Sequence, residues 1–502
     1  MRLRRRVTTI GNRFRAWGNP FTQAGFAARV HVDRIHVDNS SLFEKRDPVT
    51  TESTPNPYDG PESDLATTSS GDPKSVPTGH PLAFLFFFCG EFAERCSYYG
   101  MRAILPLYLT QALHFSDATG LALYSQFKTA CYALPLLGGF LADRFFGKYN
   151  TIVWFSIPYV IGHFVLGIES HWAALLALAL LAGGSGVIKP NISTLLGATY
   201  DQQRPGQTQL RSSAFMWFYF AINVGALIST IALPYLRDNY GYATAFLFPA
   251  WLMVASLAVF ASGKRFYAKE TLVHQVLSPQ QKQEQKAVLG RLLGVFALMV
   301  LFWVPYEHND SVWVFFARDH VNLTMPLTNF SFAPDQLQFM NPLCVMIFAP
   351  LFGVLFPLVD PQAKIFTMRN KILLGFISGT IASGIMTLAG ALAQADTKVS
   401  IVWLIASYVL LTIGEVLVYG TGLELAYSAA PANMKGFVTG CFLLTTAIAN
   451  QFNTFWSPLY NEKLPPVQFF GLSGLFALFG LIGVMLISLP QSDDAPAPEA
   501  VT

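Results

Sequence analysis

LAFLFFFCGEFAERCSYYGMRAILPLYLT, residues 82–110, is long and apolar enough to cross a bilayer, yet it carries Glu91, Glu94, Arg95 and Arg102. A charged side chain at mid-membrane costs about 2.5–3.5 kcal/mol on insertion scales, so such residues face a partner or a wet cavity. A helix turns by about 100° per residue, which gathers Glu91, Glu94, Arg95, Tyr98, Tyr99 and Arg102 into one stripe roughly 140° wide. The opposite face stays apolar. The stretch reads as a membrane helix that lines something polar.

The rest of the chain has the same character. Of its 502 residues, 52% are hydrophobic and 13% charged, with 43 phenylalanines, a balance that excludes an ordinary soluble domain. Cys89, Cys96, Cys131, Cys344 and Cys441 all fall within apolar runs, so neither a disulfide framework nor a metal centre is expected. A net charge of +3, spread over tails and loops, gives no reason to expect a nucleic-acid partner. Residues 1–80 differ: an Arg-rich, acid-poor start is followed by Pro, Ser, Thr and Gly, read as a disordered lead. Its composition suits a transit peptide, a polybasic tail beside anionic lipid, or a stretch upstream of the true start.

Apolar runs place twelve spans near 82–111, 120–142, 150–168, 171–198, 212–235 and 243–262, then 287–317, 334–357, 371–393, 399–428, 434–459 and 467–489. A polar linker, 263–286, separates a first bundle (81–262) from a second (287–489), and 490–502 is a tail. The expectation is an all-α polytopic membrane protein of two six-helix bundles, the layout of a secondary transporter. With the N-terminus inside, the inner loops collect Arg144, Lys148, Arg204, Lys264, Arg265, Lys269 and Lys371, while the outer loops hold only Arg237, Arg318, Lys398 and Lys463. That bias puts both termini in the cytoplasm. The expected location is the plasma (inner) membrane, crossed many times.

The remaining intramembrane charges divide between the halves. Arg102 and Lys189 (in GGSGVIKPN) offer cations from the first; Glu307 (FWVPYEHND) and Glu415 (LTIGEVLVYG) offer carboxylates from the second. A small zwitterion fits between such walls. A carboxylate that trades a cationic partner for a proton would also couple transport to a proton gradient, with Glu91, Glu94 and Arg95 as one group and Lys189 with Glu307 as another. Gly183, Gly184 and Gly186 permit close helix approach. Asp143 in GGFLADRFFGKY, with Arg144 and Lys148, reads as a hinge or gate latch. Tyr132, Pro135, Asn223 and Asn341 are cavity candidates. Lys128 either joins them or snorkels harmlessly, and His308 is either a proton carrier or a hydrogen-bonded spacer.

These residues also carry a resemblance. GEFAERCSYYGMRAILPLYL, CYALPLLGGFLADRFFGKYNTI, GSGVIKPN, FYFAINVG and GLELAYSAAPANMKG occur in the order seen in the proton-dependent oligopeptide transporter family of the major facilitator superfamily. The match runs from about residue 82 to 455. The resemblance implies a major facilitator fold and proton-driven symport of di- and tripeptides by alternating access, with no cofactor beyond the gradient. By position, Glu91, Glu94, Arg95, Lys189 and Glu307 would couple protons. Arg102 and Lys189 would hold the peptide carboxylate, and Asn223, Asn341 and Glu415 its amino terminus. Tyr98, Tyr99, Tyr132 and Trp303 would shape the pocket. Animal members carry histidine where this chain has Ser125, and Tyr419-Gly420 replaces a Ser-Pro. The protein would act as a monomer in the bilayer.

Rival readings are a relative that carries nitrate or another peptide-like metabolite, and a drug/proton antiporter. Paired cations suit a cationic drug poorly. An enzyme would need a nucleophile–base or metal-ligand constellation within the spans, and the sequence offers none.

Overall fold

The computed structural model describes residues 79–270, 278–326, 328, 330–393, 397–428 and 435–487. The readings of the lead up to residue 78 and of the tail 490–502 lie outside these residues.

Span one is α1 (Ala83–Leu107), with Pro106 near its end followed by a wider turn over Tyr108–Ala112. Losing the proline N–H disturbs the regular ladder, and such turns are one way to reconnect it. Span two is α2 (Asp117–Leu141), started by Ser116, whose hydroxyl accepts the Thr119 N–H, and by Asp117 in the first turn. Gly147, at φ 75°, turns the chain back into α3 (Lys148–Leu166). After α4 (His171–Gln203), one helical run, Thr208–Ser262, is broken at Gly241 with φ 81° and ψ 167°. It makes two spans, α5 (208–240) and α6 (242–262).

In the second half, span seven is two helices, α7 (Pro279–Tyr306) and α8 (Val312–His320). Then come α9 (Met340–Val359), α10 (Met368–Leu392), α11 (Val402–Ser428), α12 (Lys435–Trp456) and α13 (Pro466–Leu486). A short parallel pair joins Val321–Asn322 to Val399–Ser400. The result is two six-span bundles, as the sequence led one to expect. Two boundaries differ. Span seven was expected to run unbroken over 287–317, yet it breaks after Tyr306, where Pro305, Asn309 and Asp310 are turn formers. Its first helix also begins at Pro279, inside the stretch read as linker.

By length and hydropathy, seven helical runs among the described residues qualify as membrane spans. Charges disqualify α1, the same charges that make it informative. Each bundle has its own packed core, one around Tyr108, Tyr159 and Phe246, another around Phe302, Phe376 and Phe442. Apolar side chains also line the outside: on α3, Trp154, Ile157 and Ile161 are 56%, 50% and 48% exposed. In water such a stripe would drive aggregation; in lipid it is solvated.

Small residues set the closest approaches. A Cβ on Gly138 would lie 2.6 Å from the Val187 Cα, so α2 and α4 touch backbone to backbone near Pro135 and Lys189. Gly184 fits against Tyr159 of α3 and Gly186 against Leu134 of α2, whereas Gly183 faces open space and does not serve the close approach expected of it.

Candidate functional site

The stripe on α1 folds as the helical geometry requires. Arg95 Nε donates to Glu91 Oε1 at 2.8 Å and stands 2.5 Å from Glu94 Oε2, with every side chain at most 3% exposed. Tyr159 of α3 donates its hydroxyl to Glu94 Oε1 at 3.1 Å. One cation between two carboxylates leaves the group short of a positive charge, and Lys189 of α4 lies within electrostatic reach of both Glu94 and Arg95. Its ammonium sits 4.9 Å over the Tyr132 ring. Two turns further along α1, the Arg102 guanidinium lies 4.9 Å from the Tyr99 ring and 5.7 Å from that of Tyr98.

A second cluster joins the halves, and here the expectation is corrected. Glu307 does not face Lys189. It pairs with Lys128 of α2, whose Nζ also donates to Asp310 at 2.7 Å and 2.8 Å. Arg102 adds a contact to Asp310 at 3.4 Å. Lys128 is 1% exposed and both carboxylates 4%, so the lysine is no harmless snorkeller. Asp310 was absent from the expected site. The clue was present, however: it follows Glu307 by three residues in a short polar patch between two apolar runs, and Lys128 precedes Tyr132 by one turn. What the sequence withholds is which cation of one bundle meets which carboxylate of the other.

The second wall is built on α7, α9 and α11. Glu415 accepts from Asn341 Nδ2 at 2.5 Å, and the same amide lies 3.4 Å from Tyr306 and Thr412. Trp303 donates to Thr445 at 3.1 Å and packs edge-on against Tyr306 and Tyr419. His308 is the hydrogen-bonded spacer of the two readings, buried against Asn453 at 3.1 Å. Asn223 spends its amide on the Tyr219 carbonyl of its own helix. Away from this centre, Lys148 donates to the exposed Asp143 at 2.9 Å, while Arg144 is exposed.

The ion pairs between halves are unevenly placed. Besides the Lys128 cluster, Arg237 pairs with buried Asp335, Arg318 forks onto Asp117 at 2.6 Å and 3.3 Å, and Gln338 donates to the Ala103 carbonyl at 3.0 Å. All lie toward the end away from the 263–286 linker. There Leu107 and Leu121 of the first half join the core formed by Val312–Ala317 and Leu404. Among the described residues no ion pair crosses between halves at the linker face. The molecule is closed at one end by salt bridges and a buried apolar plug.

Comparison with known proteins places this arrangement. The family model described as PTR2, POT family, matches residues 149–280 and 268–467. Solute carrier family 15 member 2 of Oryctolagus cuniculus is 32% identical over 387 residues, 67% of this chain and 51% of that protein. The chain thus spans about half the length of these curated relatives. Dipeptide and tripeptide permease A of Erwinia pyrifoliae is 28% identical over 481 residues, 83% of this chain and 96% of the permease. A crystal structure of an auto-inhibited POT family peptide transporter superposes with a TM-score of 0.72 at 27% identity, covering 81% of this chain and 96% of that one. On fold and sequence alike, this chain belongs to the POT family of membrane transporters.

Proposed function

We propose that the protein is a proton-coupled symporter that carries di- and tripeptides across the plasma membrane by alternating access, working as a monomer with both termini in the cytoplasm. The observation that carries this reading is the pair of facing walls. Arg102 and Lys189 stand on the first half, among the rings of Tyr99 and Tyr132, and Glu415 with Asn341 stands on the second. A peptide bridging them sets its carboxylate on the cations and its ammonium on Glu415. Its two charges are then satisfied only when both halves converge, which lets the ligand bias their rocking. Relatives named as dipeptide and tripeptide permeases support the substrate class.

The coupling follows from charge accounting. With the linker face cytoplasmic, the salt-bridged end is the outer gate and the molecule faces inward. Opening that gate separates Lys128 from Glu307 and Asp310, and carboxylates deprived of a cation in a low-dielectric chamber hold protons instead. Protons delivered from outside thus stabilise the outward state, and re-pairing with Lys128 drives them off inward. Glu91, Glu94 and Arg95 would act in the same way, with Lys189 exchanging partners between them and the peptide.

Proteoliposomes holding the purified protein test this. An inward proton gradient should drive accumulation of labelled dialanine above equilibrium, and an uncoupler should abolish it. Accumulation indifferent to the gradient removes the coupling; displacement of dialanine by nitrate but not by other dipeptides removes the substrate assignment.

A further inference from the structure

Residues 264–270, which follow α6, are strapped to the first bundle. Gln202 of α4 exchanges two hydrogen bonds of 2.9 Å with the Lys269 backbone, Thr199 accepts the Ala268 N–H at 3.1 Å, and Tyr267 packs between Phe87 and Phe260. Glu270 then caps α3, accepting the backbone N–H groups of Lys148 and Tyr149 at 2.9 Å and 3.0 Å. Between strap and helix lies a cavity of about 830 Å³.

Three cations border it. Lys264 holds its ammonium 4.9 Å over the Tyr149 ring, Arg265 lies 4.6 Å from the Phe266 ring, and Lys269 is exposed at the rim. Among the described residues none of the three pairs with a carboxylate. Glu270 is the one acidic residue between positions 263 and 283, and its oxygens are engaged by the helix end. The cavity therefore has surplus positive charge. Its remaining wall carries three aromatic rings, Phe146, Tyr149 and Tyr267, beside Asn150 and Ser262. The Phe146 ring is 5.2 Å from that of Trp154, which begins the lipid-facing stripe of α3, beside exposed Phe145. A small soluble anion would use only the charged rim. A phosphate that carries hydrocarbon uses both.

We propose that this pocket is a binding site for an anionic phospholipid, with its headgroup phosphate among Lys264, Arg265 and Lys269 and its acyl chains along Phe146 and Trp154. Juxtamembrane cations each contribute to such binding, guanidinium and ammonium groups both serve phosphate, and tryptophan settles at the membrane–water boundary. The occupant would bear on the strap and on α3 at once.

Native mass spectrometry of the purified full chain, with dioleoyl phosphatidylglycerol against dioleoyl phosphatidylcholine, tests the site. The wild type should retain the anionic lipid in preference. A Lys264→Gln, Arg265→Gln, Lys269→Gln triple variant should lose that preference by about tenfold or more. A Lys282→Gln, Lys286→Gln variant, altered at linker cations outside the pocket, should keep it. Equal losses in both variants, or none in the triple, overturn the site. Thermal stabilisation by inorganic phosphate equal to that by the lipid overturns the lipid assignment. If the triple variant does not fold, Lys269→Glu alone, at an exposed side chain, carries the same comparison, and unchanged preference refutes the proposal.

Discussion

Replacing Lys128 by methionine removes a single charge and keeps most of the side-chain volume, so it isolates the clamp between halves. At the closed end this ammonium meets Glu307 and Asp310, all three groups at most 4% exposed. Breaking a buried ion pair by deleting one partner costs about 3–5 kcal/mol, because the other charge stays buried without compensation. Here two carboxylates would be left with only Arg102, at 3.4 Å. In an open gate the same carboxylates hold protons in place of the lysine, so its loss there costs little. The cost therefore falls on the state closed at the salt-bridged end and moves the equilibrium toward opening of that end by roughly two to three and a half orders of magnitude, at about 1.4 kcal/mol per tenfold. Spin labels at positions 169 and 463, on exposed loops of opposite halves, should report this as a shift to longer distances, measured with the native cysteines replaced. Adding Asp310→Asn should restore part of the short population. An unchanged distance distribution in a folded Lys128→Met protein would refute the assignment of these charges as the clamp.

Other consequences are open to direct measurement. Arg102→Ala or Lys189→Ala should weaken binding of a dipeptide by about 10- to 100-fold, the worth of a charge-assisted hydrogen bond, and should weaken its C-terminally amidated form far less. Equal losses contradict the carboxylate assignment. Glu270→Ala removes the cap from α3 and should lower stability by about 0.5–2 kcal/mol, read as a denaturation midpoint in detergent. Asp360, past the end of α9, accepts backbone N–H groups from Phe366, Ile365 and Lys364, which hold its carboxyl below the ordinary 3.8. A folded-state value depressed in this way stabilises above the unfolded value and fades as pH falls through the folded one. Asp360→Asn should thus lower the thermal midpoint at neutral pH, with the deficit shrinking only below about pH 4; a deficit that persists undiminished at pH 3 would contradict this.

How far the chain could be read in advance depended on the kind of information sought. Span positions follow from apolar run length, and α3, α4 and α10 end within a few residues of the expected bounds. The stripe on α1 was legible because Glu91, Glu94 and Arg95 are neighbours on one helix, where spacing alone fixes geometry. Lys128 and Asp310 were not legible as a pair, because they are 182 positions apart and meet across bundles. No local periodicity encodes that meeting. The strap of Lys264–Glu270 was equally hidden: polar composition suggested only a linker, and the side chains of Gln202 and Thr199 on α4 and the N–H groups of α3 show where it is fastened.

The interruption of span seven has a mechanical meaning. Between Tyr306 and Val312 the regular backbone ladder lapses, and the charges that meet Lys128 sit within that gap. A continuous rod would have to transmit a change in ionic pairing along its length before it could bend. Here the charged cluster and the joint are the same five residues, 307–311, so any change in the pairing of Glu307 or Asp310 acts directly at the elbow.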